Sequence, residues 1–164
     1  MYALLLRQDD PRKCTAAKLV KFGLVRGLYS PRQIPRRCLV LNPFATKLLT
    51  NHDRVEALTH GLMAVDCSWE KVEAAFALRL PGEGRRLPIL LASNPVNYAK
   101  QRKLSSLEAL AASLYIMGFR ERAGQLLSIF KWGPNFLALN NEPLAAYAAA
   151  GSEEGLISAE SEFF

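Results

Sequence analysis

Leu87-Pro88-Ile89-Leu90-Leu91-Ala92-Ser93-Asn94-Pro95-Val96-Asn97-Tyr98, with the helix that follows from Leu104, is the stretch around which the chain is organised. Leu87–Leu91 is a short apolar run without alternation, the pattern of a strand buried on both faces. It breaks at Ser93-Asn94-Pro95, where the proline biases Asn94 away from helix and the polar side chains favour a turn. Basic Lys100, Arg102 and Lys103 follow. Ser105-Ser106-Leu107-Glu108 then reads as a capping box, a serine on the N3 amide and Glu108 reaching back. Apolar residues continue at helical spacing through Leu114 and Tyr115, and Gly118 is the expected stop. A strand, a polar loop and a capped helix would seat an anionic or zwitterionic ligand on free amides at a positive dipole end. They would equally make an ordinary βα unit of a core, which the pattern alone favours.

Outward from this stretch the same grammar recurs. Tyr2–Leu6 ends in Arg7-Gln8-Asp9-Asp10-Pro11, Cys38–Leu41 in Asn42-Pro43, and Leu62–Val65 in Asp66-Cys67-Ser68-Trp69. Apolar runs closed by polar residues predict a largely parallel α/β sheet with ligands at its carboxyl edge. Crossovers are expected at 15–23, 44–59 and 68–78. Pro81-Gly82-Glu83-Gly84 reads as a turn and as the boundary between an N-terminal α/β lobe, 1–86, and a C-terminal lobe, 87–164. The latter is one strand and then helices at 106–117, 120–130 and from Asn141 to about 150. A break is expected at 131–134, and an acidic, frayed tail from 151.

The chain has 164 residues, half of them hydrophobic, enough for one ordinary domain or two small lobes. No run approaches the ~18 apolar residues of a membrane span, and the N-terminus lacks a signal-peptide pattern. Cys14, Cys38 and Cys67 are odd in number and widely spaced, which fits free thiols in a reducing cytosol. His52 and His60 have no partners at zinc-like spacing, so no metal site is expected. Residues 1–50 carry a net +8, residues 51–150 +2 and the tail −4. A basic front half suits a polyanion, most simply nucleic acid.

Glycine-rich nucleotide loops and the GxSxG elbow are absent. Asp66, at the end of a predicted strand, is a candidate general base or a holder of a ligand amine, and Trp69 a candidate pocket wall. As plain structure, Asp66 or Ser68 would cap the next helix and Trp69 would pack in the core. Cys67 has no histidine near it and reads as an inert thiol. Trp132 reads as a core anchor. In 10–19, lysines would grip phosphate and Thr15 would donate to a ligand, or Thr15 would merely cap a solvated helix. Arg32, Arg36 and Arg37 extend a basic stripe or are exposed loop charge.

Taken together and in order, Asp-Pro-Arg-Lys-Cys-Thr-Ala-Ala-Lys-Leu (10–19), Leu-Asn-Pro (41–43), Val-Asp-Cys-Ser-Trp (65–69), the 87–98 stretch, Lys-Leu-Ser-Ser-Leu-Glu-Ala-Leu-Ala-Ala-Ser-Leu-Tyr-Ile-Met-Gly-Phe (103–119) and Phe-Lys-Trp-Gly (130–133) carry more than any one of them. On these motifs the chain resembles the small-subunit (16S/18S) rRNA aminocarboxypropyltransferase family, from Tyr2 to Tyr147. It departs from that pattern at Ala16 and Ala99, where the family usually has glycine. The compact length fits an archaeal member.

The resemblance implies a SPOUT-like, mostly parallel sheet with a deep trefoil knot, followed by an all-α lobe. It implies transfer of the 3-amino-3-carboxypropyl group of S-adenosylmethionine to base N3 of a (methyl)pseudouridine in small-subunit rRNA, releasing 5′-methylthioadenosine. By position, Leu41, Pro43, Leu87 and Leu104 would form the adenosyl pocket, with Arg102 in the loop before the helix and backbone near Val65 at the ribose. Thr15 and Ser106 would hold the amino-carboxypropyl end, and Trp69 would bury the methyl group. Asp66 would take the imide proton, and Lys13, Lys18, Lys21, Arg36 and Arg37 would hold the RNA. No metal is implied, and a cytoplasmic monomer acting on rRNA or a pre-ribosomal subunit is expected. An RNA methyltransferase on the same scaffold, and a non-catalytic assembly factor, are the alternatives.

Overall fold

In the computed structural model, residues 1–6, 14–77 and 79–164 are described; Lys13 lies outside them. Five strands, β1 (Tyr2–Leu5), β2 (Arg26–Leu28), β3 (Leu39–Leu41), β4 (Leu62–Asp66) and β5 (Glu83–Arg85), form one sheet in the order β2-β1-β4-β3-β5. Every neighbouring pair is parallel. Between and after them lie α1 (Thr15–Lys21), α2 (Arg54–His60), α3 (Val72–Ala77), α4 (Ser106–Ile116), α5 (Arg120–Leu127), α6 (Gly133–Leu139), α7 (Asn141–Ala149) and α8 (Glu153–Phe163).

The sheet is covered on both faces, so its strands carry apolar side chains on both. Ala3, Leu39, Leu41, Leu62 and Ala64 point into the larger core, which Leu107, Leu110 and Ala111 of α4, Phe136 of α6, Tyr147 of α7 and Leu156 of α8 complete. Leu4, Val40 and Met63 point the other way and meet Leu28, Ile34 and Cys38. Each such Leu or Met contributes roughly 1.5–3 kcal/mol by leaving water. Residues on either side of 86 therefore share one core. Helix α4 is the element that joins the halves: it is capped by Ser105, lies against β4, α1, α5 and α7, and ends at Gly118 in the left-handed region (φ 86°). No helix of the described residues is long and apolar enough to cross a membrane.

Three expectations are corrected. Residues 87–91 belong to no strand of the sheet, and Leu91 forms only an isolated bridge with Gln101. Their backbone groups bond to side chains of the helical lobe: Leu91 N–H donates to Asn140 Oδ1 (2.8 Å), Asn140 Nδ2 to the Leu91 carbonyl (2.9 Å), Tyr147 O–H to the Ile89 carbonyl (2.9 Å), and Ile89 N–H to Glu160 Oε1 (2.5 Å). An apolar run satisfied in this way looks like a buried strand in sequence. The edge strand is instead β5, inside the stretch read as a turn. Gly82, at φ 102°, lets the chain lie against the Cys38 carbonyl, where a Cβ would stand 2.5 Å away.

The tail is not frayed but folds as α8. Leu156 is fully buried. Two acids on one face of α8, about two turns apart, serve as acceptors, Glu153 Oε1 for Leu48 N–H (2.8 Å) and Glu160 for Ile89 N–H. Arg86 (3.9 Å) and Arg102 (3.5 Å) neutralise Glu160. The 131–134 break is also the start of α6, with Pro134 tolerated in its first turn.

Candidate active site

The expected carboxyl edge is where the chemistry gathers. Asp66 closes β4, paired with Leu5 at the end of β1. Its Oδ2 accepts from Cys14 Sγ (2.9 Å) and its Oδ1 from Ser106 Oγ (3.3 Å). Thr15 Oγ1 accepts from Leu107 N–H (3.4 Å), so the first turns of α1 and α4 face each other across Asp66. Cys14, not Thr15, caps α1, its sulfur accepting from Ala17 N–H (3.1 Å). That leaves the Thr15 hydroxyl directed at α4. Burial pushes the Cys14 thiol up to about 12, the bond to Asp66 adding to it, so it is a protonated donor to the carboxylate.

Trp69 reaches the same end. Its Nε1–H donates to the Leu104 carbonyl (3.1 Å), and Lys103 Nζ lies 4.6 Å from the ring centroid. Leu87 and Leu104 pack half-buried against the larger core. Leu41 is buried in that core, while the Val65 side chain turns to the smaller one, so at Val65 only backbone faces this end. Pro43 follows Leu41 at the same edge. Arg102, at φ 60°, spends its N–H on the Leu90 carbonyl (3.0 Å) and its guanidinium on Glu160. The direct contacts are therefore Asp66 with Ser106, Trp69 with Leu104, and Thr15 with Leu107 at the start of α4.

The basic set divides. Lys18 and Lys21 lie on α1, with Lys18 Nζ 4.2 Å from the Phe130 ring centroid. Arg36 and Arg37 precede β3, at the amino edge of the sheet, and Arg37 pairs with Glu56 (3.1 Å). The structure does not bring these two arginines to the Asp66 end.

One organiser was read only as a cap. Glu108, fully buried, accepts from Ser93 N–H (2.6 Å), Asn94 N–H (2.9 Å), Asn94 Nδ2 (2.8 Å), Ser105 N–H (2.7 Å) and Ser105 Oγ (2.8 Å). It ties both ends of the 93–105 loop to the start of α4. The capping-box pattern was the signal for it. Cys14 and Glu160, also missed, had no local signal.

The site offers apolar walls, two hydroxyls, a carboxylate and the first turn of α4, which fits a ligand with an aromatic part and a zwitterionic arm. Among the described residues no group of three His, Cys, Asp or Glu could hold a metal ion.

Comparison with known proteins gives the family and the fold. Residues 39–164 match the family model described as "Ribosome biogenesis protein, C-terminal". Residues 6–33 match one described as "Possible Fer4-like domain in RNase L inhibitor, RLI". Within 6–33 the sequence has the single cysteine Cys14 and no histidine, too few ligands for an iron–sulfur cluster. The 16S rRNA aminocarboxypropyltransferase of Methanopyrus kandleri is 48% identical over 164 residues, 99% of this chain and 97% of that one. The one of Thermoplasma acidophilum is 47% identical over 94% of this chain and 93% of its own. A solved structure, that of the SAM-dependent rRNA:acp-transferase Tsr3 from Vulcanisaeta distributa, superposes with a TM-score of 0.88 at 39% identity, over 98% of this chain and 95% of that one. The fold is that SPOUT-like one, a parallel sheet with a helical C-terminal lobe. The chain belongs to the 16S rRNA aminocarboxypropyltransferase family.

Proposed function

We propose that this protein transfers the 3-amino-3-carboxypropyl group of S-adenosylmethionine to base N3 of a (methyl)pseudouridine in small-subunit rRNA, during ribosome biogenesis. The observation that carries the reading is whole-length likeness to proteins described as 16S rRNA aminocarboxypropyltransferases, with Asp66 set between the starts of α1 and α4. A deep trefoil knot in the chain path and action as a cytoplasmic monomer belong to the same proposal.

In this reading Thr15 and Ser106 hold the amino-carboxypropyl arm. Trp69 buries the methyl group, Leu41, Pro43, Leu87, Leu104 and the Arg102 backbone bound the adenosyl part, and backbone near Val65 meets the ribose. A sulfonium has three electrophilic carbons, and the one placed in line with the nucleophile reacts. Hiding the methyl behind Trp69 therefore selects the longer arm. Asp66 accepts the imide proton as N3 bonds to the arm's terminal carbon, and the C–S electron pair stays on sulfur as 5′-methylthioadenosine leaves. Cys14 and Ser106 orient the carboxylate for that step. Lys18 and Lys21 approach the RNA backbone from α1, and Lys13 is added to them on its sequence alone.

The test is incubation with S-adenosylmethionine labelled separately in the methyl and carboxyl carbons, with unmodified small-subunit rRNA. Carboxyl label in RNA and methyl label in methylthioadenosine is the expected result. Methyl label in RNA would make the protein a methyltransferase. Neither label in RNA, with no S-adenosylmethionine binding by calorimetry, would leave an RNA-binding assembly factor.

A further inference from the structure

The loop between Ala92 and Lys103 exposes apolar surface that the transfer reaction does not use. Val96 is 81% and Tyr98 62% exposed. Yet the loop is held firmly. Ala99 N–H donates to the Ala92 carbonyl (2.7 Å), Ala92 N–H to the Lys100 carbonyl (3.0 Å) and Lys100 N–H to the Asn97 carbonyl (2.9 Å), while Glu108 grips Ser93 and Asn94 from below. Ala99 and Arg102 both stand in the left-handed region, at φ 61° and 60°. Strain at residues other than glycine persists where the surroundings over-determine it, commonly at ligand clamps.

Cations and rings alternate beside this loop. Ser93 Oγ donates to the Trp132 carbonyl (3.1 Å), Trp132 lies 5.3 Å from Phe130 between centroids, and Lys18 sits over Phe130. At the other end Lys103 sits over Trp69. From Ala92 to Lys103 the sequence has no acid. Arg102 is taken by Glu160, so Lys18, Lys100 and Lys103 supply the positive charge.

We propose that this strip binds single-stranded RNA, with Tyr98 stacking on a base next to the one modified. The proposal rests on the function read above. Base N3 of a uridine-type base is a Watson–Crick donor, so the target must be unpaired to reach Asp66. Drawing that base out leaves each neighbour one face without its stacking partner, and an exposed ring on a rigid basic loop supplies a new one. A duplex presents no free base face to Tyr98.

The experiment uses the full chain, a fluorescein-labelled oligouridylate and fluorescence anisotropy. Tyr98→Ala should weaken binding about tenfold, as stacked aromatics do on truncation. Tyr98→Trp should restore it, and calorimetry should show unchanged S-adenosylmethionine affinity for both. Lys18→Ala should lower the slope of log affinity against log salt by about 0.7. Wild-type protein that ignores the oligouridylate, Tyr98→Ala that binds like wild type, Tyr98→Trp that fails to restore binding, or a duplex bound as tightly as the single strand would each overturn the proposal. Failure of the functional reading shows separately, as absence of carboxyl label in rRNA while oligouridylate binding still depends on Tyr98.

Discussion

The carboxylate of Glu108 and the amide of Asn94 meet twice, through Asn94 N–H and through Asn94 Nδ2, in a place where Glu108 is wholly shielded from water. With Ser93 and Ser105 completing the set, the acid has donors on both oxygens. The helix start behind it favours negative charge.

Glu108→Gln turns one acceptor oxygen into a donor facing the amides of Ser105 or Asn94. Leaving buried donors unmatched should cost about 3 kcal/mol. A urea titration should show a lower midpoint with an unchanged slope.

Ala99 occupies a conformation that costs an L-residue about 1–2 kcal/mol relative to glycine. Ala99→Gly, the residue usual in the family pattern, should stabilise the protein by about 1 kcal/mol, a rise of about 2–4 °C in Tm by calorimetry. Ala16 is a different case. It is fully buried inside α1 and shows no positive φ, so Ala16→Gly should destabilise by about 1 kcal/mol.

Burial holds the Cys14 thiol up to about 12 and the Cys38 thiol up to about 11, against an ordinary 9.0. Between 9.0 and those values the unfolded chain has released protons that the folded one keeps. Stability from these thiols is complete below pH 9.0 and falls as pH rises towards 12. Cys14→Ser should flatten that alkaline fall in denaturation midpoints measured across the window, and alkylation of Cys14 at pH 8 should be slow in the wild type.

Asp66→Asn keeps the shape but not the base. Single-turnover transfer should slow by about 10²–10⁴-fold while S-adenosylmethionine affinity is held. If affinity falls and the rate does not, Asp66 holds the ligand's amine and another group takes the proton.

Glu160→Gln should raise the dissociation constant for S-adenosylmethionine several-fold with little change in rate at saturation. It loosens Ile89 and the two arginines without touching the Asp66 cluster.

What could be read from sequence was what is settled locally. The Ser105–Glu108 box marks α4 because cap and partner are three residues apart. The apolar runs at 2–6, 38–41 and 62–65 became β1, β3 and β4 because each feeds side chains into both cores. Leu87–Leu91 misled because an apolar run does not reveal who accepts its amide hydrogens. Here the acceptors are Asn140 and Glu160, 49 and 71 residues away. Glu83–Arg85 was hidden as an edge strand with no apolar run of its own. Glu153 and Glu160 read as part of a frayed acidic tail, and both serve backbone amides. At the site, Asp66 and Ser106 stand in two of the assembled motifs, and their hydrogen bond spans 40 residues, a distance no periodicity covers.

The last helix carries a consequence for the order in which the protein is made. The segment 87–91 finds its hydrogen-bond partners at Asn140, Tyr147 and Glu160, and Leu48 finds its partner at Glu153. A chain emerging from a ribosome, N-terminus first, has its sheet and α4 in the open while α8 is still inside the exit tunnel. The segments around Leu48 and 87–91 cannot be fixed until residues 140–160 have emerged, so that side of the molecule is completed after the sheet and α4. A protease cutting between α7 and α8 would remove Glu153 and Glu160 and so loosen Leu48 and Ile89 without reaching Asp66.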